Sequence, residues 1–230
     1  MFYSYGFGLY AMIPVILLGL FVQVHLKTTY SKYSGIANVR GMTGAQMAES
    51  ILRGAGIYDV GVVCIQGQLS DHFDPSKKVV RLSEQVYNGT SIASIGVAAH
   101  ECGHAIQHDV GYFPIRLRSA VVGITNFSSK ILYFLMIASL VLSGYAFSTV
   151  IFNIAILCYA VIFFFQLITL PVEFNASARA VQQIKAAGFS DQDIGGVRKV
   201  LNAAAMTYVA SAVTAHTQLL IMISRSRRRR

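Results

Sequence analysis

Long stretches of this 230-residue chain carry no charged side chain, and the pattern between them is that of a folded domain. Residues 1–26 contain no Lys, Arg, Asp or Glu, and neither do residues 131–172. A helix crosses a bilayer core with roughly 20 apolar residues. The first stretch therefore supplies one span. The second, 42 residues long, supplies a hairpin of two, with its turn near LSGYAFST (142–149). A third uncharged stretch, 200–224, is interrupted by Asn202, Thr207, Ser211, Thr214, His216 and Gln218. It stands open between a fourth span and a helix packed on the domain.

Elsewhere the periodicity is that of water-soluble structure. MTGAQMAESILRGAGI (42–57) has a Thr43 cap signal, helical spacing of Met47, Ile51 and Leu52, and Gly54 and Gly56 at its end. VGVVCIQGQ and KKVVRLS are β-branched runs flanking the turn-rich LSDHFDPS, the pattern of a β-hairpin over 61–83. NGTS (88–91) caps a helix over about 92–108, whose Ile92, Ile95, Val97 and Ala98 place it in a core. Beyond the hairpin of spans, EFNASARAVQQIKAAG predicts a short helix. Ser190 and Asp193 form a capping-box pattern opening another.

Composition agrees with a membrane protein. The chain is 54% apolar and only 13% charged, too apolar for an ordinary soluble protein. The predicted fold is mostly α, with transmembrane helices and a small α+β domain. Its parts are an N-terminal anchor (1–26), a domain bearing the 92–108 helix (27–130), a transmembrane hairpin (131–172), and a C-terminal segment (173–230). The first stretch lacks a basic leader and a small-residue cleavage site, so it reads as a retained anchor. Lys27, Lys32, Arg40, Arg116, Arg118, Lys130, Arg179 and Lys185 flank the spans on one side. Positive residues stay inside, which puts 27–130 and the chain just after 172 in the cytoplasm. A fourth span would carry Arg225 and Arg227–Arg230 to the other side, but the opposite orientation would expel more basic residues. The net charge of +9 does not imply nucleic acid, because aromatic and basic residues do not interleave as a stacking surface. The terminal RSRRRR serves as a topology anchor, worth about 1 kcal/mol per basic residue near anionic lipid. Cys64, Cys102 and Cys158 are odd in number and unpaired in spacing, which argues for a reducing compartment and against a disulfide framework.

Candidate chemistry is concentrated in GVAAHECGHAIQHDV (96–110). His100, Glu101 and His104 form H-E-x-x-H on the predicted helix. Residues four apart share a helical face, about 6 Å apart along the axis, so two imidazoles converge on one ion. Glu101 then stands beside a water whose pKa zinc lowers to about 7, and serves as general base. The competing reading is a pair of helix-surface histidines without a metal. His108 is excluded as third ligand, because it lies about 12 Å beyond His100 along a straight helix. Families that use a downstream His first turn the chain at a Gly. Here Gly103 precedes His104 and is assigned to close packing; His108 reads as a solvated helix-end residue.

A catalytic zinc site needs three protein ligands and an open position. The acidic candidates are Asp71, Asp74, Glu84, Asp109 and Glu173. Asp71 and Asp74 look like turn residues beside Pro75, and Asp109 ends its helix. Glu173 stands out, because it follows Leu170, where the third span must finish, and a carboxylate so near hydrocarbon is costly unless paired. Its competing reading is an interfacial charge snorkelling to water.

DHFDPSKKVVRLSEQVYNGTSIASIGVAAHECGHAIQH and LPVEFNASARA resemble the bacterial family of membrane-anchored neutral zinc metallopeptidases, over about residues 27–215. More distantly, the layout is similar to the HtpX-type heat-shock proteases and the prenyl-protein proteases. The resemblance implies a Zn2+ endopeptidase of the bacterial plasma membrane, with His100, His104 and Glu173 as ligands and Glu101 as base. Residues 27–130 would be the metallopeptidase domain and 173–230 would carry the third-ligand helix. The distant relatives have Glu-x-x-x-Asp, whereas this chain has Ser177 at that place, with Asn175 nearby. Either of these accepts an imidazole N–H more weakly than a carboxylate does.

The expected partners are a polypeptide substrate, expected to be a membrane protein, and the lipid bilayer; the sequence leaves the oligomeric state undetermined. An edge strand of the 61–83 hairpin is a candidate for strand addition. His72, Arg179 and Tyr208 are candidate oxyanion donors, each with a blander reading as turn, helix-surface or packing residue. The alternative function is a non-catalytic metal-binding membrane scaffold or regulator, for which Glu101 would have no use. A transporter is disfavoured, because the hairpin spans contain no ionisable side chain other than Cys158 and tyrosines.

Overall fold

The computed structural model describes residues 2–67 and 70–227, with side chains from Tyr10 onward. Leu69, which opens the predicted turn, and the last three arginines of the basic tail lie outside the described residues. The elements in order are α1 (Phe2–Ser34), α2 (Gly44–Gly54), β1 (Gly61–Ile65), β2 (His72–Asp74), β3 (Val79–Ser83), α3 (Glu84–Tyr87), α4 (Ile92–Asp109), α5 (Phe113–Val141), α6 (Ser148–Ala186) and α7 (Asp191–Arg227).

Capping chemistry sets the helix starts as the sequence predicts. Thr43 accepts from the Gln46 N–H while the Gln46 side chain accepts from the Thr43 N–H, a complete capping box on α2. Ser91 Oγ accepts from the Ser94 N–H at the head of α4. Ser190 Oγ accepts from the Asp193 N–H at 3.1 Å and donates to Asp193 Oδ2 at 2.9 Å before α7.

The described chain divides into two compact units. One comprises Val22–Arg116 and Pro171–Thr207. Its core joins Met47, Ile51 and Leu52 of α2 to Val80 and Leu82 of β3 and to Ile92, Ile95, Ala98, Ala99 and Cys102 of α4. Ala180 and Ile184 of α6, and Val197 and Val200 of α7, complete the same core. Because α4 is covered on most sides, small residues dominate it, and one of them is decisive. A Cβ on Gly103 would stand 2.5 Å from the Ala176 carbonyl oxygen, so α4 and α6 meet backbone to backbone at that point.

The sheet differs from the predicted hairpin. The strand order is β1-β3-β2, with β1 parallel to β3 (Gly61↔Val79 to Ile65↔Ser83) and β2 antiparallel to it (Phe73↔Val80). The hairpin therefore joins β2 to β3, and the two β-branched runs lie side by side in the same direction. Its turn is built by Asp74, whose Oδ1 accepts from the Ser76 and Lys77 N–H groups at 3.0 and 3.1 Å. Lys78 takes the left-handed φ of 51° that brings the chain back. His-Phe-Asp, three residues long, is too short to stand out as a strand run.

The second unit comprises the described residues up to Phe21, Leu117–Leu170, and those from Tyr208 on. Phe152 and Ala155 of α6 and Met222 of α7 are buried together against Leu132, Leu135 and Met136 of α5. Ser226 Oγ donates to Asn153 Oδ1 at 2.7 Å, a polar tie between α6 and α7. Phe127, Tyr133, Phe134 and Leu140 of α5 and Leu157 and Phe164 of α6 are exposed, as lipid-facing side chains are. Among the described residues four helices are long and apolar enough to cross a membrane: Tyr10–Ser34, Phe113–Val141, Ser148–Ala186 and Asp191–Arg227.

One predicted boundary moves, and the segment 200–224, left open by the sequence, is part of one long helix. The short helix after the third span is not separate, because α6 runs without a break from Ser148 to Ala186 through Pro171. Val172, Ala176, Ala180 and Ile184, at steps of four, are all buried. That packing outweighs the hydrogen bond the proline removes. Likewise α7 is one helix: Val197 and Val200 belong to the domain core, while residues from Tyr208 on belong with the spans.

Candidate metal centre

The motif residues occupy the middle of α4, where the 3.6-residue period sets His100 and His104 on one face. Their rings stand 4.8 Å apart, nearly perpendicular. Glu173 reaches them from α6. Its Oε2 lies 3.3 Å from His100 Nε2 and 3.7 Å from His104 Nε2, and its side chain is 3% exposed. One ligand atom from each of the three residues falls within 4.8 Å of the others. Gly103 is what permits this approach, since Glu173 precedes the Ala176 contact by three residues, one turn of α6.

Each imidazole is held from behind. His100 Nδ1 is 3.2 Å from Ser177 Oγ, and His104 Nδ1 is 3.0 Å from Gln107 Oε1. Both Nε2 atoms are thereby turned toward Glu173. The donor set of two imidazole nitrogens and a carboxylate oxygen, oriented by partners on the far nitrogens, fits a zinc ion. For His104, burial is the strongest single influence and pulls its pKa down. The nearby Glu173 carboxylate, the charge of Glu101 and the Gln107 carboxamide together outweigh it, so the pKa stands above the ordinary imidazole value.

Glu101 points elsewhere. Its Oε2 accepts from the Phe73 N–H at 3.0 Å, and the residue is buried. N–H directions alternate along a strand, so this donor lies on the edge of β2 that β3 does not use. The carboxylate is thus held at the sheet edge beside the histidine pair.

The remaining sequence candidates do not join the group. Asp71 Oδ1 accepts from the Ser83 N–H at 2.7 Å and serves the start of α3, and Asp74 builds its turn. Glu84 and Asp109 are exposed. His108 is half-buried rather than solvated, its ring 5.4 Å from that of Phe73. His72 is exposed, with Nδ1 2.7 Å from the Ser70 carbonyl oxygen. Arg179 Nε donates to Asn175 Oδ1 at 2.8 Å, so Asn175 serves Arg179 and Gln107 rather than an imidazole. Tyr208 falls in the other compact unit. Cys102 is buried, and desolvation pushes its thiol well above the usual range, leaving it inert. Sequence reading missed Gln107, whose only signal was its place three residues after His104 on a core helix.

Residues 9–227 match the family described as "Putative neutral zinc metallopeptidase". The chain belongs to this family. It is also 43% identical over 215 residues to a Bacillus subtilis (strain 168) protein named "Putative membrane protease YugP", covering 92% of this chain and 94% of that relative. No solved structure matches the chain. The family's name implies zinc, and the chain has a possible metal-binding group in His100, His104 and Glu173. The relative's name and the four apolar helices both point to the membrane.

Proposed function

We propose that the protein is a zinc-dependent membrane endopeptidase, with His100, His104 and Glu173 holding the ion and Glu101 acting as general base. The observation that carries this reading is the convergence of two imidazole nitrogens and a carboxylate oxygen within 4.8 Å, beside a carboxylate that takes no part in the group. A bound zinc supplies Lewis acidity and brings the pKa of a water to about 7. Glu101 takes a proton from the attacking water and delivers it to the leaving amine. The substrate's extended backbone lies along the outer edge of β2, where the Phe73 N–H already engages Glu101.

In this reading residues 27–130 and the segment following the hairpin form the catalytic domain, and α1, α5, α6 and α7 anchor it. The distribution of Lys and Arg supports a site on the cytoplasmic side, and the membrane in this reading is the bacterial plasma membrane. Glu173 follows Leu170 by three residues in the same helix, about 5 Å along the axis. Membrane proteins, or chains close to the membrane, are therefore the favoured substrates.

The test uses full-length protein in detergent, comparing wild type with Glu101→Gln for zinc content and casein cleavage. Both should retain the metal, and only wild type should cleave, with the variant at least about a hundredfold slower. Cleavage by the variant at the wild-type rate would remove Glu101 from the mechanism. Zinc binding without cleavage by wild type would leave the metal-binding scaffold.

A further inference from the structure

Gln107 is fully buried, and the directions of its hydrogen bonds determine where a proton sits on His104. Its Nε2 is 2.8 Å from the Val172 carbonyl oxygen and 3.0 Å from Asn175 Oδ1. Its Oε1 is 3.0 Å from His104 Nδ1. A backbone carbonyl only accepts, so the atom facing Val172 must be the amide nitrogen. The amide oxygen then faces His104, and because it too only accepts, Nδ1 must carry the proton. The neutral ring is left with a bare Nε2, the atom turned toward Glu173.

The far end of the network fixes the same directions independently. Arg179 has donors only, and its Nε lies 2.8 Å from Asn175 Oδ1, so that atom is an acceptor. Asn175 Oδ1 therefore accepts from Arg179 and from Gln107 together. Both amide hydrogens of Gln107 and its oxygen are engaged. His100 has no such constraint, because the Ser177 hydroxyl at 3.2 Å is able to donate or accept.

We propose that Gln107 is a positioning residue for the metal centre. It locks His104 in the tautomer a metal requires and ties that ring to the turn of α6 that carries Glu173. The residue whose carbonyl it engages, Val172, directly precedes Glu173. One side chain thereby sets the relation between ligands on two helices. The inference rests on the zinc reading above and assigns a role to a residue outside the H-E-x-x-H pattern.

Full-length wild type, Gln107→Met and Gln107→Glu are compared in detergent. Zinc dissociation constants come from competition with a chromophoric chelator, and thermal midpoints are taken on the metal-free proteins. Methionine fills the space without hydrogen bonds, so its zinc dissociation constant should rise about 10- to 100-fold. Glutamate keeps an acceptor for His104 Nδ1 but turns its other oxygen toward both the Val172 carbonyl and Asn175 Oδ1. Its metal-free midpoint should fall below that of Gln107→Met, while its zinc affinity stays nearer wild type. A side chain that only filled space would move both readouts together. Wild-type zinc affinity in Gln107→Met, or the same ranking of the variants on both readouts, would overturn the positioning role and leave the centre standing. A wild type that takes up no zinc would remove the centre and this role with it.

Discussion

At the residue scale, Glu173 is a buried carboxylate whose nearest ionisable partners are the two motif histidines. It is 2% exposed and stands within 4 Å of two imidazoles, which compensate its desolvation only in part when neutral. Glu173→Gln keeps the volume and removes the charge. Its zinc affinity should fall by more than about a hundredfold, beyond the loss typical of residues that merely orient a ligand. Equilibrium dialysis against zinc reads this directly, and retained affinity would displace Glu173 from the group. The grouping of His100, His104 and Glu173 was legible in the sequence for physical reasons: spacing on a helix for the two histidines, an acid where hydrocarbon ends for Glu173. Gln107 was not legible, because a polar residue on a core helix shows its importance only when its partners on another element are known. The Phe73 contact was hidden for a different reason: it is made by backbone, which every residue carries.

At the element scale, the site depends on how closely α4 and α6 pack. Gly103 permits an approach that any side chain forbids, since its Cβ would meet Ala176 backbone at 2.5 Å. Backbone cannot swing aside as a flexible side chain does, so Gly103→Ala must push the helices apart. Overpacking of this kind costs about 1–3 kcal/mol. The shift also carries Glu173 away from the histidines, so zinc affinity should fall together with the thermal midpoint. A variant with wild-type metal affinity would show that the helix contact does not set the ligand geometry. The sequence-level reading placed Gly103 correctly as a packing residue but mistook the sheet and α6. Two β-branched runs with a turn between them read as a hairpin, and nothing in either run reports that a three-residue strand intervenes. The sequence pattern finishes the third span at Leu170 and puts a separate short helix after it, yet the buried row Val172, Ala176, Ala180 and Ile184 keeps the helix continuous through Pro171.

At the scale of the whole molecule, the proposed zinc site and membrane setting make predictions about stability and about substrate choice. An ion bound by the folded chain stabilises it by RT ln(1 + [L]/Kd), about 4 kcal/mol at a thousandfold excess over Kd. Chelation should therefore lower the wild-type thermal midpoint by roughly 10 °C. Glu173→Gln should hardly respond, and an equal response would mean that the chelated metal sits elsewhere.

On the proposed function, substrate choice would follow from the continuity of α6, in which Glu173 and a candidate membrane span share one helix. A peptide anchored in the same bilayer meets the site at an effective concentration near the millimolar range for a short flexible tether. The same peptide free in solution at micromolar concentration has no such advantage. In liposomes holding the full-length protein, the tethered peptide should be cleaved at least about tenfold faster than its soluble counterpart. The tether should be varied in length, because the gain disappears if the linker cannot span from the bilayer to the β2 edge. A rate that rises and then declines with tether length would locate the cleavage site relative to the lipid surface. Equal rates for soluble and tethered peptide at every length would detach the active site from the membrane, even with the zinc chemistry intact.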